Sequence, residues 1–375
     1  MPSTMKPTVR PVLTRGDRTA FIKFPWKIYD GNPYWVPPLL SDRKKLIDTK
    51  KNPFYRHAQL QLLLAERDGA IVGRIGAIVN DNHIKEHNEK VGFFGFFECI
   101  DDQSVADALF DAAADWLRER GMEAMRGPAS PSVNDEYGLL VDGFDKSPAI
   151  LMPYNPAYYA RLIEGHGFTK AKDLYSYALR SDLVFTEKFT RVSEMFKKRA
   201  GVVFRSLNMR DFKNEVDRIR EMYNRGWARN WGAVPMTKEE FEYAAKDLKP
   251  IANPELIIIA EVKGKPVGFG MSLPDLNIVL KDNKRGYLIP ALVRLVLFKK
   301  RINRTRIVIL GVLPEYRNSG IGGVLFYETG VRSVKNGMHR GEAGWVNDDN
   351  LMMIRGAEMM NGERYKTYRL YQRPL

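Results

Sequence analysis

Residues 308–326 read VILGVLPEYRNSGIGGVLF and carry the strongest chemical signal in the chain. The pattern predicts a strand that ends near Val312 and a helix that begins near Ile321. The loop between them contains Gly320, and Gly322 follows at once. Glycines let consecutive backbone N–H groups converge on an anion, and a helix N-terminus adds its positive dipole end. The stretch therefore predicts a strand–loop–helix unit that can hold a pyrophosphate without a lysine or a metal.

Two other segments indicate that the chain contains a duplicated architecture. Residues 62–73 read LLLAERDGAIVG, and residues 257–268 read IIIAEVKGKPVG. Each predicts a β-hairpin, because two apolar runs flank a turn that contains glycine. The interval between the hairpins also separates Gly167 from Gly362, near the ends of the two halves. A repeat that keeps its register at both ends predicts duplicated domains.

After its hairpin, each half continues in the order strand, helix, strand, helix, strand. This order predicts a layered α/β fold with a mixed sheet, present twice. The predicted domains are residues 1–185 and 202–375, joined by a charged linker at 186–201. A chain of 375 residues is also long enough for two cores.

The amino-acid composition limits the classes of binding partner that we expect. The formal net charge of +14 favours an anionic partner. The basic residues are spread along the chain without a zinc finger or RNP motif, so nucleic acid is not expected. The single cysteine, Cys99, excludes an internal disulfide and fits a reducing cytoplasm. We also expect no secretory signal, membrane span or metal site.

The sequence Arg-x-x-Gly-x-Gly after a Val-x-Pro strand end resembles the CoA pyrophosphate loop of the GNAT (Gcn5-related N-acetyltransferase) superfamily. The hairpins and the strand order fit this superfamily in both halves. Four further stretches resemble bacterial tandem-GNAT proteins: NPYWVPPL at 32–39, NDEYGLLVDGF at 134–144, NPAYY at 155–159 and KTYRLY at 366–371. The resemblance implies two tandem acyl-CoA N-acyltransferase folds, with acetyl-CoA or another acyl-CoA as co-substrate and no metal.

The resemblance also implies which residues contact CoA. Backbone amides of the loop are expected to hold the pyrophosphate, and the preceding strand is expected to pair with the pantetheine arm. Asn350 stands where the family often has an asparagine that contacts the pantetheine or the departing thiol. The expected cofactor-binding residues are Leu310, Gly311, Val312, Arg317, Asn318, Ser319, Gly320, Ile321, Gly322 and Asn350.

The first half departs from the loop pattern. It has Asp101, Ser104 and Ala106 where the second half has Arg317, Gly320 and Gly322. Carboxylates before a helix cap it, and they repel a pyrophosphate at close range. We therefore expect a single CoA site, in the second half.

Acylation of an amine by a thioester needs a base for the ammonium and a proton for the thiolate. Glu342 is the predicted base, because it lies on the strand after the loop helix, where the family's sheet splays around the thioester. Asp348 and Asp349 are alternatives, although carboxylates before a helix often cap it.

The acid is harder to assign. Many GNAT enzymes use a tyrosine on the last helix, but this chain has Ala357 at that position. Tyr368 is the chosen substitute, with Tyr365 and Tyr371 as alternatives on the last strand. The predicted catalytic set is therefore Glu342, Asn350 and Tyr368.

The second half contains an additional segment at residues 272–303. It holds Asp275 and Asn277, which either face the acceptor or form a turn. Later residues predict a short basic amphipathic helix: Leu292, Leu295, Val296 and Phe298, followed by Lys299, Lys300 and Arg301. Such a helix packs into a core or faces a membrane or a long acyl chain. We expect the segment to border the substrate cleft and to select a hydrophobic acyl chain or acceptor.

The predicted function is transfer of an acyl group, with acetyl as the expected group, from CoA to an amine whose identity the sequence does not reveal. The acceptor is expected to be a small molecule or an amphiphile, with contact to a membrane surface left open. The main alternative is a non-catalytic CoA-binding or sensing protein, favoured by Ala357 and the altered first half. A basic nucleic-acid-binding protein is a more distant alternative.

Overall fold

The computed structural model describes residues 5–199 and 201–375. The strands of the first half are β1 Thr8–Pro11, β2 Ala58–Arg67, β3 Ala70–Asn80, β4 Val91–Cys99, β5 Ala124–Gly127, β6 Ala129–Ser130, β7 Glu136–Tyr137, β8 Leu139–Asp142 and β9 Thr169–Arg180. Its helices are α1 Arg15–Ile28, α2 Leu40–Leu46, α3 Asp81–His87, α4 Gln103–Arg118 and α5 Tyr158–Gly165.

The second half repeats this alternation of helices and strands. Its strands are β10 Val202–Ser206, β11 Ile257–Val262, β12 Lys265–Pro274, β13 Arg304–Val312, β14 Arg340–Asn347 and β15 Glu363–Pro374. Its helices are α6 Ser181–Val184, α7 Glu187–Arg199, α8 Phe212–Trp227, α9 Lys238–Leu248, α10 Asn277–Leu280, α11 Leu288–Phe298, α12 Ile321–Lys335 and α13 Leu351–Met359.

Both predicted hairpins are present. β2 pairs with β3, and β11 pairs with β12, each antiparallel. The turn residues Asp68 and Gly69 have φ of 52° and 74°, and Lys263 and Gly264 have 50° and 73°. Positive φ at both turn positions matches the right-handed twist of the flanking strands. The two hairpins also shift register at equivalent places, after Ala65 and after Ala260 in their first strands.

The first compact unit comprises Met1–Asp173, Leu280–Arg294 and Thr367–Leu375. Its strands lie in the order β1, β2, β3, β4, β5 and the end of β15. Helix α4 packs on this sheet, because apolar residues at helical spacing give it one buried face. The fully buried side chains of that face include Val105, Leu109, Phe110, Ala113 and Leu117.

The second compact unit comprises Leu174–Val279 and Leu295–Lys366. Its strands lie in the order β9, β14, β13, β12, β11 and β10, and within this order only β13 and β14 are parallel. Helix α12 packs its buried face on the sheet through Ile321, Val324 and Leu325. The predicted α/β fold with mixed sheets is confirmed.

The units differ from the sequence halves because the halves exchange their last strands. The end of β9 pairs with β14, from Arg180 opposite Arg340 to Leu174 opposite Asn347. The end of β15 pairs with β5 of the first half. Residues 187–199 of the predicted linker form α7, and residue 200 lies outside the described residues. The domain limits at 185 and 202 stay a prediction, since the compact units follow a different division.

Candidate functional site

Strands β13 and β14 separate part of the way along their length. Their parallel pairing runs from Arg304 opposite Arg340 to Ile307 opposite Ala343. β13 nevertheless continues to pair with β12 as far as Val312. The pairing thus opens into a V on the β14 side of Leu310, Gly311 and Val312. Backbone groups along a strand edge bind an extended ligand as an added strand would, which suits a pantetheine arm.

Position 311 of β13, beside this opening, requires a glycine. A Cβ at Gly311 would lie 2.7 Å from the ring of Trp227, at the end of α8. The same end of α8 holds the loop that follows β13, because Arg317 donates a hydrogen bond of 2.8 Å to the carbonyl of Gly226. The Arg317 side chain therefore fixes the loop, in addition to its predicted backbone contact with pyrophosphate.

The loop itself is ordered by local hydrogen bonds. Ser319 Oγ donates to the Tyr316 carbonyl at 2.6 Å and accepts from the Ile321 N–H at 3.3 Å. Gly320 is the N-cap of α12 and has φ of 86°, a left-handed conformation that favours glycine. The predicted strand–loop–helix unit is present as described.

The first turn of α12 presents open backbone donors. A helix leaves its first N–H groups without an intrahelical acceptor. At Gly322 and Gly323, a Cβ would meet no atom within 4 Å outside the adjacent chain, so both positions have open space for a side chain. Open amides at a helix N-terminus form an anion site. The N–H groups of Gly322 and Gly323 are therefore available to an anion. Those of Arg317, Ser319 and Ile321 already donate to the Pro314 carbonyl (3.4 Å), the Tyr316 carbonyl (3.1 Å) and Ser319 Oγ (3.3 Å), so their contact with pyrophosphate stays a prediction.

A buried acidic side chain lies where β13 and β14 begin to diverge. Glu342 is only 1% exposed, and it stands one residue before the last paired residue of β14. Tyr365 donates its hydroxyl to Oε2 of Glu342. Among the described residues, Oε1 has no hydrogen-bond partner. A buried carboxylate oxygen without a partner is costly unless a ligand or a proton satisfies it, which points to function.

A buried cation faces the same region. Arg306 is the register partner of Glu342, so both side chains emerge on one face of the sheet. Arg306 is 2% exposed and donates to the Gly344 carbonyl at 3.1 Å. Its guanidinium lies 5.5 Å from the centre of the Trp345 ring. We call the place where β13 and β14 separate the neck of the opening. It therefore carries an acid (Glu342), a cation (Arg306) and an aromatic ring (Trp345).

Asp275 belongs to a neighbouring ion pair. It is fully buried and accepts a hydrogen bond of 2.6 Å from Nε of Arg304. Burial lowers the pKa of Arg304, but the charge and hydrogen bond of Asp275, together with the charges of Tyr365 and Glu342, outweigh burial and the pKa is raised. Asp275 also accepts from the N–H of Asn277 at 3.2 Å. The carboxylate thus forms the turn that the sequence suggested and an ion pair that it did not.

The other two predicted catalytic residues, Asn350 and Tyr368, lie in different compact units. Asn350 caps α13 by accepting a hydrogen bond of 3.3 Å from the Met353 N–H. Tyr368 lies in the first unit, fully buried, opposite Leu140 of β8. The tyrosine that contacts Glu342 is Tyr365 instead. The acid role of Tyr368 stays a prediction.

Sequence reasoning missed Arg304 and Arg306. The strand reads RTRIVILGV, with arginines at alternating positions at the start of an otherwise apolar run. Two charges on one face of a central strand are costly unless they are paired or functional, and that was the available signal. Lys366, also fully buried, was missed for the same reason.

In the first half, an acidic side chain, Asp102, occupies the position that corresponds to the anion site of the second half. Asp102 caps α4 by accepting from the Ser104 N–H at 2.9 Å, and Arg67 donates to it at 2.7 Å. The hydrogen bond from Arg67 is the main reason that the pKa of Asp102 falls to about 2. A carboxylate that stays charged at this helix end opposes a second anion.

The opening between β4 and β5 is filled as well. Their pairing ends at Phe93 opposite Arg126. Beyond it, Ser130 Oγ accepts from the Phe96 N–H at 2.8 Å. A Cβ at Gly95 would lie 1.8 Å from the Ala129 carbonyl oxygen. Segment β6 therefore occupies the groove that an added pantetheine strand would need.

We expect the chain to bind one CoA, because, within residues 5–199 and 201–375, only the second half combines an open groove with an open helix N-terminus. Isothermal titration calorimetry of the full chain with CoA should give a stoichiometry near one. Two equivalent sites in that titration would contradict the expectation.

Residues 5–199 and 201–375 contain no group of three or more histidine, cysteine or acidic side chains placed to hold a metal ion. None of the helices in these ranges combines the length and the apolar character needed to cross a bilayer.

Comparison with known sequences gives consistent matches. The model of the acetyltransferase (GNAT) family matches residues 216–355. A protein of Caulobacter vibrioides named bacterial ceramide synthase is 35% identical over 379 residues, covering 98% of this chain and 97% of that protein. Protein YghO of Escherichia coli is also 35% identical, over 98% of this chain and 95% of its own length.

Solved structures extend the likeness to the whole fold. A tandem GNAT protein from the clavulanic acid biosynthesis pathway superposes with a TM-score of 0.59 at 11% identity, over 98% of both chains. A GCN5-related N-acetyltransferase from Sphaerobacter thermophilus gives 0.52 at 13% identity, over 98% of this chain and 95% of the other. At such identities the likeness concerns the fold alone, and that fold is the tandem arrangement predicted from the repeats.

Proposed function

Because the chain belongs to the acetyltransferase (GNAT) family and is an acyltransferase, we propose that it joins a fatty acyl group from CoA to the amine of a long-chain amino alcohol. The product would be a ceramide-type amide. The observation that carries this proposal is similarity along the full length to a bacterial ceramide synthase. That similarity spans 98% of this chain, which supports a shared acceptor class, and we propose that the segment 272–303 contributes to the acceptor side.

The family uses acyl-CoA as its co-substrate, and the second unit has the features to hold it. The open amides of α12 suit the pyrophosphate, together with the loop residues Arg317, Asn318, Ser319, Gly320 and Ile321. The free edge of β13 suits the pantetheine arm. We propose that the thioester then lies at the neck of the opening, near Glu342.

The proposed chemistry is direct transfer. The amine nitrogen attacks the thioester carbonyl, a C–N bond forms, and the C–S bond breaks. Glu342 accepts the proton that the amine loses, through the oxygen that has no hydrogen-bond partner among the described residues, while Tyr365 orients the carboxylate. The leaving thiolate gains a proton, so the products are the amide and the free CoA thiol; Tyr368 is the proposed donor of that proton, and Asn350 is the proposed contact of the departing thiol.

The exposed apolar side chains of α11 support the proposal that the acceptor is amphiphilic. Of the two interpretations of the predicted basic amphipathic helix, packing into a core is wrong for Leu292 and Val296, because their side chains are 52% and 78% exposed. Long-chain amines and acyl chains partition into membranes, so an enzyme that acts on them needs access to a lipid surface. A cytoplasmic location belongs to the same proposal, because the lone Cys99 needs no oxidising compartment.

We expect the purified chain to acylate sphinganine with palmitoyl-CoA and to act much more slowly on ethanolamine. Each methylene that the enzyme removes from water contributes about 0.8 kcal/mol, so kcat/KM should differ by more than about 100-fold. Release of free CoA thiol gives the rate, and mass spectrometry identifies the amide. Equal activity on both amines, or transfer from acetyl-CoA only, would refute the proposed substrate class.

A further inference from the structure

Helix α11 carries its apolar side chains outward. Val296 is 78% exposed, Ile289 75% and Leu297 67%. Leu288, Leu292 and Val293 are also about half exposed. At about 100° per residue, these six side chains cover one half of the helix circumference. Ala291, on the opposite side, is 1% exposed. The helix therefore presents a continuous apolar half-cylinder to its surroundings.

Basic residues flank this apolar surface at both ends. Lys284 and Arg285 precede the helix, and Lys299, Lys300 and Arg301 follow it, all of them exposed. Asp282, an exposed acid six residues before the helix, is bonded to Arg294 at 2.7 Å. An apolar strip with cations at both ends complements a surface that is apolar inside and anionic at its rim.

Hydrogen bonds hold the chain segment immediately before α11, and they limit rotation of the helix about its axis. Trp26 Nε1 donates to the Lys284 carbonyl at 2.7 Å, and Leu40 N–H donates to the Gly286 carbonyl at 2.9 Å. Gly286 has φ of 66°, and a Cβ there would lie 2.5 Å from the Pro38 carbonyl oxygen. The stretch NPYWVPPL and its neighbour Trp26 therefore hold this segment in a conformation that only glycine permits easily.

We propose that α11 lies in the plane of a bilayer with anionic headgroups, with its apolar half among the acyl chains. Its 11 residues span about 16 Å, which is too short to cross the hydrocarbon core and suited to lying along the interface. Extensive exposed apolar surface otherwise marks a protein interface. A second copy of this chain is a poor occupant, because the two copies would bring their cationic flanks together. The proposal does not depend on which amine is acylated.

Vesicle sedimentation of the full chain tests this inference. Vesicles of about one third phosphatidylglycerol in phosphatidylcholine should bind the protein at least about ten-fold more tightly than phosphatidylcholine alone. About 0.5 M salt should reduce the difference. The double variant Ile289→Asp, Val296→Asp should lose at least about ten-fold in affinity, because both charges would enter the apolar region.

A matched control separates this effect from a general surface change. Leu13 is 77% exposed and lies outside α11, so Leu13→Asp should leave vesicle binding unchanged. Calorimetry with CoA should show that all variants keep their CoA site, and this measurement does not depend on acyl transfer. Unchanged vesicle binding by the double variant would overturn the proposal. So would a wild-type protein that ignores vesicles but forms a dimer that the double variant dissolves, in analytical ultracentrifugation.

Discussion

Replacing Gly322 with aspartate should weaken CoA binding by at least about 100-fold while the protein remains folded. The added carboxylate would stand beside the open amides of α12, where two like charges at about 4 Å repel by about 4 kcal/mol under near-surface screening. The fold should tolerate the change, because a Cβ at this position meets no atom within 4 Å. An acid in the first turn also suits the helix dipole, so the melting temperature should not fall.

Gly322→Ala is the matched control, since it adds the Cβ without the charge and should keep CoA affinity within a few fold. Gly320 is a less suitable target, because its φ of 86° would strain any side chain and a Cβ there lies 3.0 Å from the Phe196 ring. Calorimetry with CoA and thermal melts of both variants provide the measurements. An aspartate variant with wild-type affinity would show that the pyrophosphate binds elsewhere.

Features set by local sequence were predictable. Each hairpin follows from apolar runs around a turn with Gly69 or Gly264, because few residues accept the positive φ that the turn needs. The phosphate loop follows from Gly320 at the N-cap of α12 for the same reason. In such stretches, neighbouring residues determine the backbone conformation almost alone, so a single sequence was sufficient to predict it.

Features set by pairing between distant segments were not predictable. The strand character of β9 and β15 is visible in their residues, but their partners are not, and duplicated halves offer each last strand two similar sheets. Helix α11 shows the same limit, because periodicity fixes which residues share a face and not whether that face is buried. The partners of Glu342 come from β13 and β15, and only strand register brings Arg306 and Tyr365 to it.

Glu342→Gln should lower kcat by about 10²–10⁴-fold without changing CoA affinity. Glutamine has nearly the same shape and keeps a carbonyl oxygen that can accept from Tyr365, so the buried site should remain packed. It cannot take a proton from the attacking amine. Steady-state rates with sphinganine and palmitoyl-CoA, together with CoA calorimetry, measure the two effects separately. Tyr365→Phe should show a smaller loss, because it removes the group that orients the base and leaves the base itself.

The pH dependence distinguishes a base from a structural carboxylate. A primary amine has a pKa near 10, so at neutral pH nearly all of the acceptor is an ammonium that must lose a proton before it attacks. As the pH rises toward that pKa, more amine is already neutral and the need for Glu342 declines. The ratio of wild-type to Glu342→Gln activity should therefore shrink between pH 7 and pH 9.5, by about ten-fold or more. A ratio that stays constant across this range, or a variant that also loses CoA, would assign Glu342 a structural role.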